Sequence, residues 1–244
     1  MINTRWLTWW RHRERIEGRI GGEALHVSLG TFCHTAAALR DCGLRPWTGP
    51  FDWIFSDPAM IAACIEDDFA TLLDPGELRS VPASELTHGA KRQCRHLAYE
   101  ARYNLPTLFN HHDPAANGGD RQRLERATER FRSALGSGWP LRFYMLSQRD
   151  WPEEEITGLR AVLNRRVRDV GLVLVRLEPG SAEPRWTRTT RPDGLVELRV
   201  YTRSGSLGAV FPDGRDNGLL SEALLDYAGA PDGRPVASRD PERP

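Results

Sequence analysis

The stretch Leu141-Arg142-Phe143-Tyr144-Met145-Leu146, followed by Pro152-Glu153-Glu154-Glu155 and then by Leu172-Val173-Leu174-Val175-Arg176-Leu177, sets the architecture. The short apolar runs at 141–146 and 172–177 read as buried strands. Residues 153–170 between them read as a helix, opened by a proline at its first turn and an acidic triplet that suits the positive end of the helix dipole. Strand, helix and strand in that order make a parallel βαβ unit.

The same alternation extends in both directions. Upstream, residues 25–29 read as a strand, 31–42 as a helix, 43–50 as a loop closed by Gly49 and Pro50, and 58–73 as a helix. That last helix carries Met60, Ile61, Cys64, Ile65, Phe69 and Leu72 at helical spacing. Residues 105–109 read as a short strand and 120–135 as an amphipathic helix with an acid near its start. Downstream, 196–201 reads as a strand and 219–227 as a helix. Residues 74–101 have weak periodicity and read as a surface excursion that places His88 and His96 in solvent; with residues 178–194 they are the expected specificity loops. The expectation is an α/β three-layer sandwich with a mainly parallel central sheet and an antiparallel C-terminal strand. It occupies a single domain at 23–228, preceded by an amphipathic helix at 1–22 with tryptophans opposite arginines and followed by a disordered tail at 229–244.

Lysine plus arginine number 33, as do aspartate plus glutamate. A balanced chain has no global field to recruit nucleic acid, so none is expected as a partner. No stretch approaches the roughly 20 apolar residues of a membrane span, and the first residues lack the apolar core of a secretory signal. The expected compartment is the cytoplasm, with reduced thiols. The cysteines at 33, 42, 64 and 94 form no C-x-x-C pair and no zinc pattern with histidines, so neither metal nor cofactor is expected.

Cys33 stands apart from the other three. It falls just after a strand and a glycine, on the first turn of a helix, where unpaired amides and the positive dipole end favour thiolate over thiol. Strand ends at the carboxyl edge of an α/β sheet are where such folds build sites. His111, His112 and Asp113 also follow a predicted strand. A nucleophilic thiol needs an imidazole within reach, and the imidazole needs an acid to orient it. His111 or His112 is the candidate base, and Asp52 or Asp113 is the candidate orienter. Phe51 and Trp53 flank Asp52 and anchor its loop. Trp53, His34 and His111 are candidate binding residues.

These motifs, Ser28-Leu29-Gly30-Thr31-Phe32-Cys33, Ala36-Ala37-Ala38-Leu39-Arg40, Gly49-Pro50-Phe51-Asp52-Trp53-Ile54 and His112-Asp113, resemble those of a bacterial family described as papain-like cysteine peptidases. The resemblance implies a thiol hydrolase or acyltransferase with Cys33 as nucleophile and His112 as base, acting on the amide, ester or thioester of a peptide or small acyl substrate. A second reading is a non-catalytic module that binds a small molecule or peptide in the same crevice.

Overall fold

Along residues 141–147 the buried side chains alternate between two faces: Leu141, Phe143 and Met145 meet one apolar cluster, Tyr144 and Leu146 another. A strand buried on both faces needs a layer of structure on each side. The computed structural model, which describes residues 24–87 and 89–229, has both layers. The expected helix at 1–22, His88 and the tail beyond Gly229 lie outside the described residues.

The central sheet is built from β1 (Leu25–Ser28), β4 (Leu141–Ser147), β5 (Val170–Pro179), β6 (Arg185–Thr190) and β7 (Val196–Thr202), in the spatial order β1-β4-β5-β7-β6. The first four in that order run parallel, and β6 pairs antiparallel to β7 at the far edge. Helices α1 (Cys33–Asp41) and α6 (Gly214–Gly229) cover one face, where Leu39, Leu220 and Leu224 join Tyr144, Val173 and the β7 residues Val196, Leu198 and Val200. Helices α2 (Pro58–Glu66), α4 (Gly118–Leu135) and α5 (Glu153–Arg166) cover the other face, where Met60, Phe131 and Leu159 join Val27, Phe143 and Leu172. The α/β sandwich with a mainly parallel sheet is therefore as expected; the last strand, β7, runs parallel, and the antiparallel one is β6, the strand before it, at the sheet edge.

A small antiparallel ribbon of β2 (Leu78–Ser80) and β3 (Cys94–His96) leads into the short helix α3 (Leu97–Tyr103). Several local expectations change. His96 is fully buried, stacked on Tyr99 at 4.0 Å, rather than in solvent. Residues 105–109 form no strand: only Phe109 bridges to Cys94, because Pro106 has no amide for a ladder. The helix expected over 58–73 stops at Glu66, and Asp68 and Phe69 take left-handed backbone angles (φ 53° and 62°) that turn the chain while Phe69 and Leu72 stay in the core. The loop expected over 178–194 contains β6.

The two layers also fix where a crevice opens. After β1 the chain passes to the α1 face, and after β4, its neighbour in the sheet, it passes to the α5 face. Between the carboxyl ends of β1 and β4 the connections diverge, the arrangement in which open α/β sheets form sites.

Candidate active site

Cys33 is the first residue of α1 and stands at this divergence, half-buried. The turn that delivers it is tightly specified. Gly30 has φ 79°, and a Cβ there would collide with the carbonyl oxygen of Phe51, so only glycine lets the 49–54 segment close on the end of β1. Thr31 follows, also at φ 79°, a costly conformation for a β-branched residue. Hydrogen bonds hold it there. Its amide donates to Ser56 Oγ at 2.9 Å, its carbonyl accepts from the Ser56 amide at 3.3 Å, and its hydroxyl donates to the Leu146 carbonyl at the end of β4. Ser56 Oγ in turn donates to the Leu29 carbonyl at 3.0 Å. Ser56 is thus a positioning residue that no motif in the sequence announces.

No side chain caps α1, because its N-cap is Phe32. Among the described residues the amides of Phe32 and His34 have no hydrogen-bond acceptor, which leaves donors beside the thiol. The expected depression of the thiol pKa is not found. Burial pushes Cys33 up from its ordinary value and the nearby Asp52 carboxylate adds to the rise, against a lowering contribution from the residue's own amide. Desolvation and a like charge outweigh the helix dipole.

Asp52 is almost completely buried and pairs with Arg45, while also accepting a hydrogen bond from the Gly49 amide at 3.0 Å. Burial raises its carboxyl to about 6 against the pull of Arg45. Trp53 stacks against the same guanidinium, 5.3 Å from ring centroid to Arg45 Cζ. Both Asp52 contacts fall on Oδ2, and among the described residues no hydrogen bond or ion pair joins Asp52 to His112. Asp113 is also engaged elsewhere: its Oδ1 accepts from the amides of Ala115 and Ala116 at 3.1 Å each.

The acid beside His112 is Asp120, in the first turn of α4, with Oδ1 3.4 Å from His112 Nδ1. Its Oδ2 accepts from the Asp113 amide at 2.9 Å, Arg123 lies 3.0 Å from its Oδ1, and Arg92 lies 3.4 Å from its Oδ2. Burial lowers the His112 pKa and Asp120 partly restores it. The sequence signal for Asp120 is an acid near the start of a helix, eight positions after His112, but that signal equally fits a simple dipole role.

Three of the other described histidines are buried and bonded away from Cys33, and the fourth, His111, is exposed. His34 is buried against Phe211 and bonded to Ser206 Oγ at 2.7 Å, and burial drops its pKa to about 4. His26 is bonded to Tyr144 OH at 2.7 Å and likewise lies at about 4. His96 donates from Nε2 to the Thr71 carbonyl at 3.0 Å. His111 is exposed and meets the Asn110 side-chain amide at 3.4 Å.

His112 and Asp120 line a cavity of about 520 Å³ between the 48–54 segment and α4, with Trp53, Ile54, Phe109 and Leu124 among its apolar walls. Of the three candidate binding residues, Trp53 lines this cavity and His34 and His111 do not. Cys33 is also outside the lining, and among the described residues its Sγ shares no hydrogen bond with His112. The 49–54 segment links the two: Gly49, Pro50 and Trp53 line the cavity, and Asp52 acts on the thiol.

Among the described residues no helix is long and apolar enough to cross a membrane. No curated protein and no solved structure matches the chain. The model of one family matches residues 24–177, which take in β1, the Cys33 turn, the 49–54 segment, His112 and the sheet through most of β5, and the chain therefore belongs to the family described as "Putative papain-like cysteine peptidase (DUF1796)".

Proposed function

We propose that the protein is a thiol hydrolase in which Cys33 attacks the carbonyl carbon of a peptide amide, ester or thioester. The observation that carries this reading is the half-buried thiol at the first position of an uncapped helix, at the point where the sheet connections diverge. Family membership supports it independently. His112 as base and Asp120 as its acid are supported by their adjacency at the cavity wall, where His112 is the one described histidine beside a buried carboxylate.

Because burial keeps the thiol protonated, attack is assisted by a base rather than launched from a standing thiolate. As the carbon–sulfur bond forms, the thiol proton passes to the His112 imidazole. The carbonyl oxygen becomes an oxyanion facing the free amides of Phe32 and His34. The imidazolium then protonates the leaving amine, alcohol or thiol as its bond to carbon breaks. Water, deprotonated by His112, cleaves the acyl-thioester and regenerates Cys33. Among the described residues Cys33 and His112 share no hydrogen bond, so this proton transfer requires that substrate binding bring them within reach. Four free cysteines suit the reducing cytoplasm, the compartment we assign.

The test is acyl capture. The full chain is incubated with an N-acetyl-phenylalanine thiobenzyl ester, quenched in acid and mapped by mass spectrometry. The expected result is one acyl group on Cys33 and none in Cys33→Ala. Acylation spread evenly over Cys33 and Cys42 contradicts the reading.

A further inference from the structure

The cavity beside His112 carries a charge imbalance that hydrolysis alone does not require. Three guanidinium groups, from Arg123, Arg126 and Arg130, line it against one carboxylate, Asp120. Their spacing of three and then four positions places them along one face of α4. Arg123 is paired with Asp120, and Arg130 donates to the Thr48 carbonyl at 3.1 Å. Arg126 has no ion pair or hydrogen bond among the described residues. Burial, joined by repulsion from Arg126, lowers the Arg130 pKa. Like charges one turn apart weaken a helix, and an anion between them reverses the sign of that interaction.

We infer that the cavity is a subsite for an acidic peptide, in which an apolar side chain packs against Trp53, Ile54 and Phe109 while an adjacent Asp or Glu carboxylate is held by Arg126 and Arg130. Guanidinium forks match carboxylate geometry, and the apolar wall beside them asks for both groups in one ligand. A peptide supplies them on neighbouring residues, and the family description names peptidases. Treating this peptide as a substrate rests on the proposed function, whereas binding in the cavity does not require the thiol.

Calorimetric titration of the full chain with the acetylated, amidated hexapeptides Ala-Phe-Glu-Glu-Ala-Ala and Ala-Phe-Gln-Gln-Ala-Ala tests it, with phenyl phosphate as a third probe. The acidic peptide is expected to bind about tenfold more tightly at low salt, with the preference shrinking as salt rises. Arg126→Gln is expected to abolish the preference without lowering the thermal midpoint, because it removes a like charge beside Arg130 and, among the described residues, no ion pair or hydrogen bond. Cys33→Ala is expected to keep it, so a failure of acylation and a failure of this subsite are told apart. Equal affinity for the two peptides, or a preference that survives Arg126→Gln, overturns the inference. Phenyl phosphate binding more tightly than the acidic peptide overturns it in favour of a phosphate ligand.

Discussion

Gly30 and Asp52 are the two residues on which the surroundings of the thiol depend. A Gly30→Ala chain must move the Phe51 carbonyl and hold alanine at φ 79°, so a loss of at least about 2 kcal/mol is expected in chemical denaturation. Asp52→Asn leaves Arg45 without its counter-charge, with an expected loss of about 1–3 kcal/mol, because the burial that raises the Asp52 carboxyl already offsets part of the pair's attraction. The same change removes a negative charge that raises the thiol, so the pH midpoint of Cys33 alkylation should fall, a readout that simple destabilisation would not produce. The place of Cys33 at a strand-to-helix turn is legible in the sequence. Its protonation state is not, because desolvation and the approach of Asp52 depend on how the 49–54 segment folds over it.

Between elements, the β1–α1 turn is locked by Ser56 from the segment before α2. Ser56→Ala removes the acceptor for the Thr31 amide and the donor to the Leu29 carbonyl, and a loss of about 1–3 kcal/mol is expected from the unpaired groups. Strong periodicity makes β4, α5 and β5 readable, and they lie close to their expected positions. The end of α2 is hidden in the sequence because Phe69 and Leu72 continue the apolar spacing beyond the break. Glu66, Asp67 and Asp68 are the contrary signal, since acids oppose the dipole at a helix C-terminus. β6 escapes sequence reading because Arg185–Thr190 is exposed along most of its length and carries no apolar alternation. For the acid beside His112, adjacency in the chain points to Asp113, whereas α4 brings Asp120 alongside the ring.

For the molecule as a whole, buried histidines set the response to acid. His26 and His34 fall from 6.5 to about 4 on folding. Between those values the unfolded chain binds protons that the folded chain refuses, so each contributes stability above about pH 6.5 that is lost as pH falls toward 4, up to about 3 kcal/mol apiece. Asp52 acts in the opposite direction. Its carboxyl rises from 3.8 to about 6, so its contribution is lost as pH increases through that interval. His96 and His112 are lowered as well, and Asp57 and Glu155 raised; the histidines outweigh the carboxyls and give a net loss on acidification, expected as a lower denaturation midpoint at pH 4.5 than at pH 7. His34→Gln should shrink that difference.

Activation of a neutral Cys33 thiol by His112, the step we propose, has a signature in the pH dependence of acylation. Single-turnover acylation by the thiobenzyl ester would be followed in the native chain and in His112→Ala. The expected rate in the native chain levels off above a pKa below 6.5, where His112 becomes a free base, and falls by about 100-fold or more in His112→Ala. A rate that instead climbs with one thiol ionisation above 9, and is the same in both chains, would refute base activation by His112.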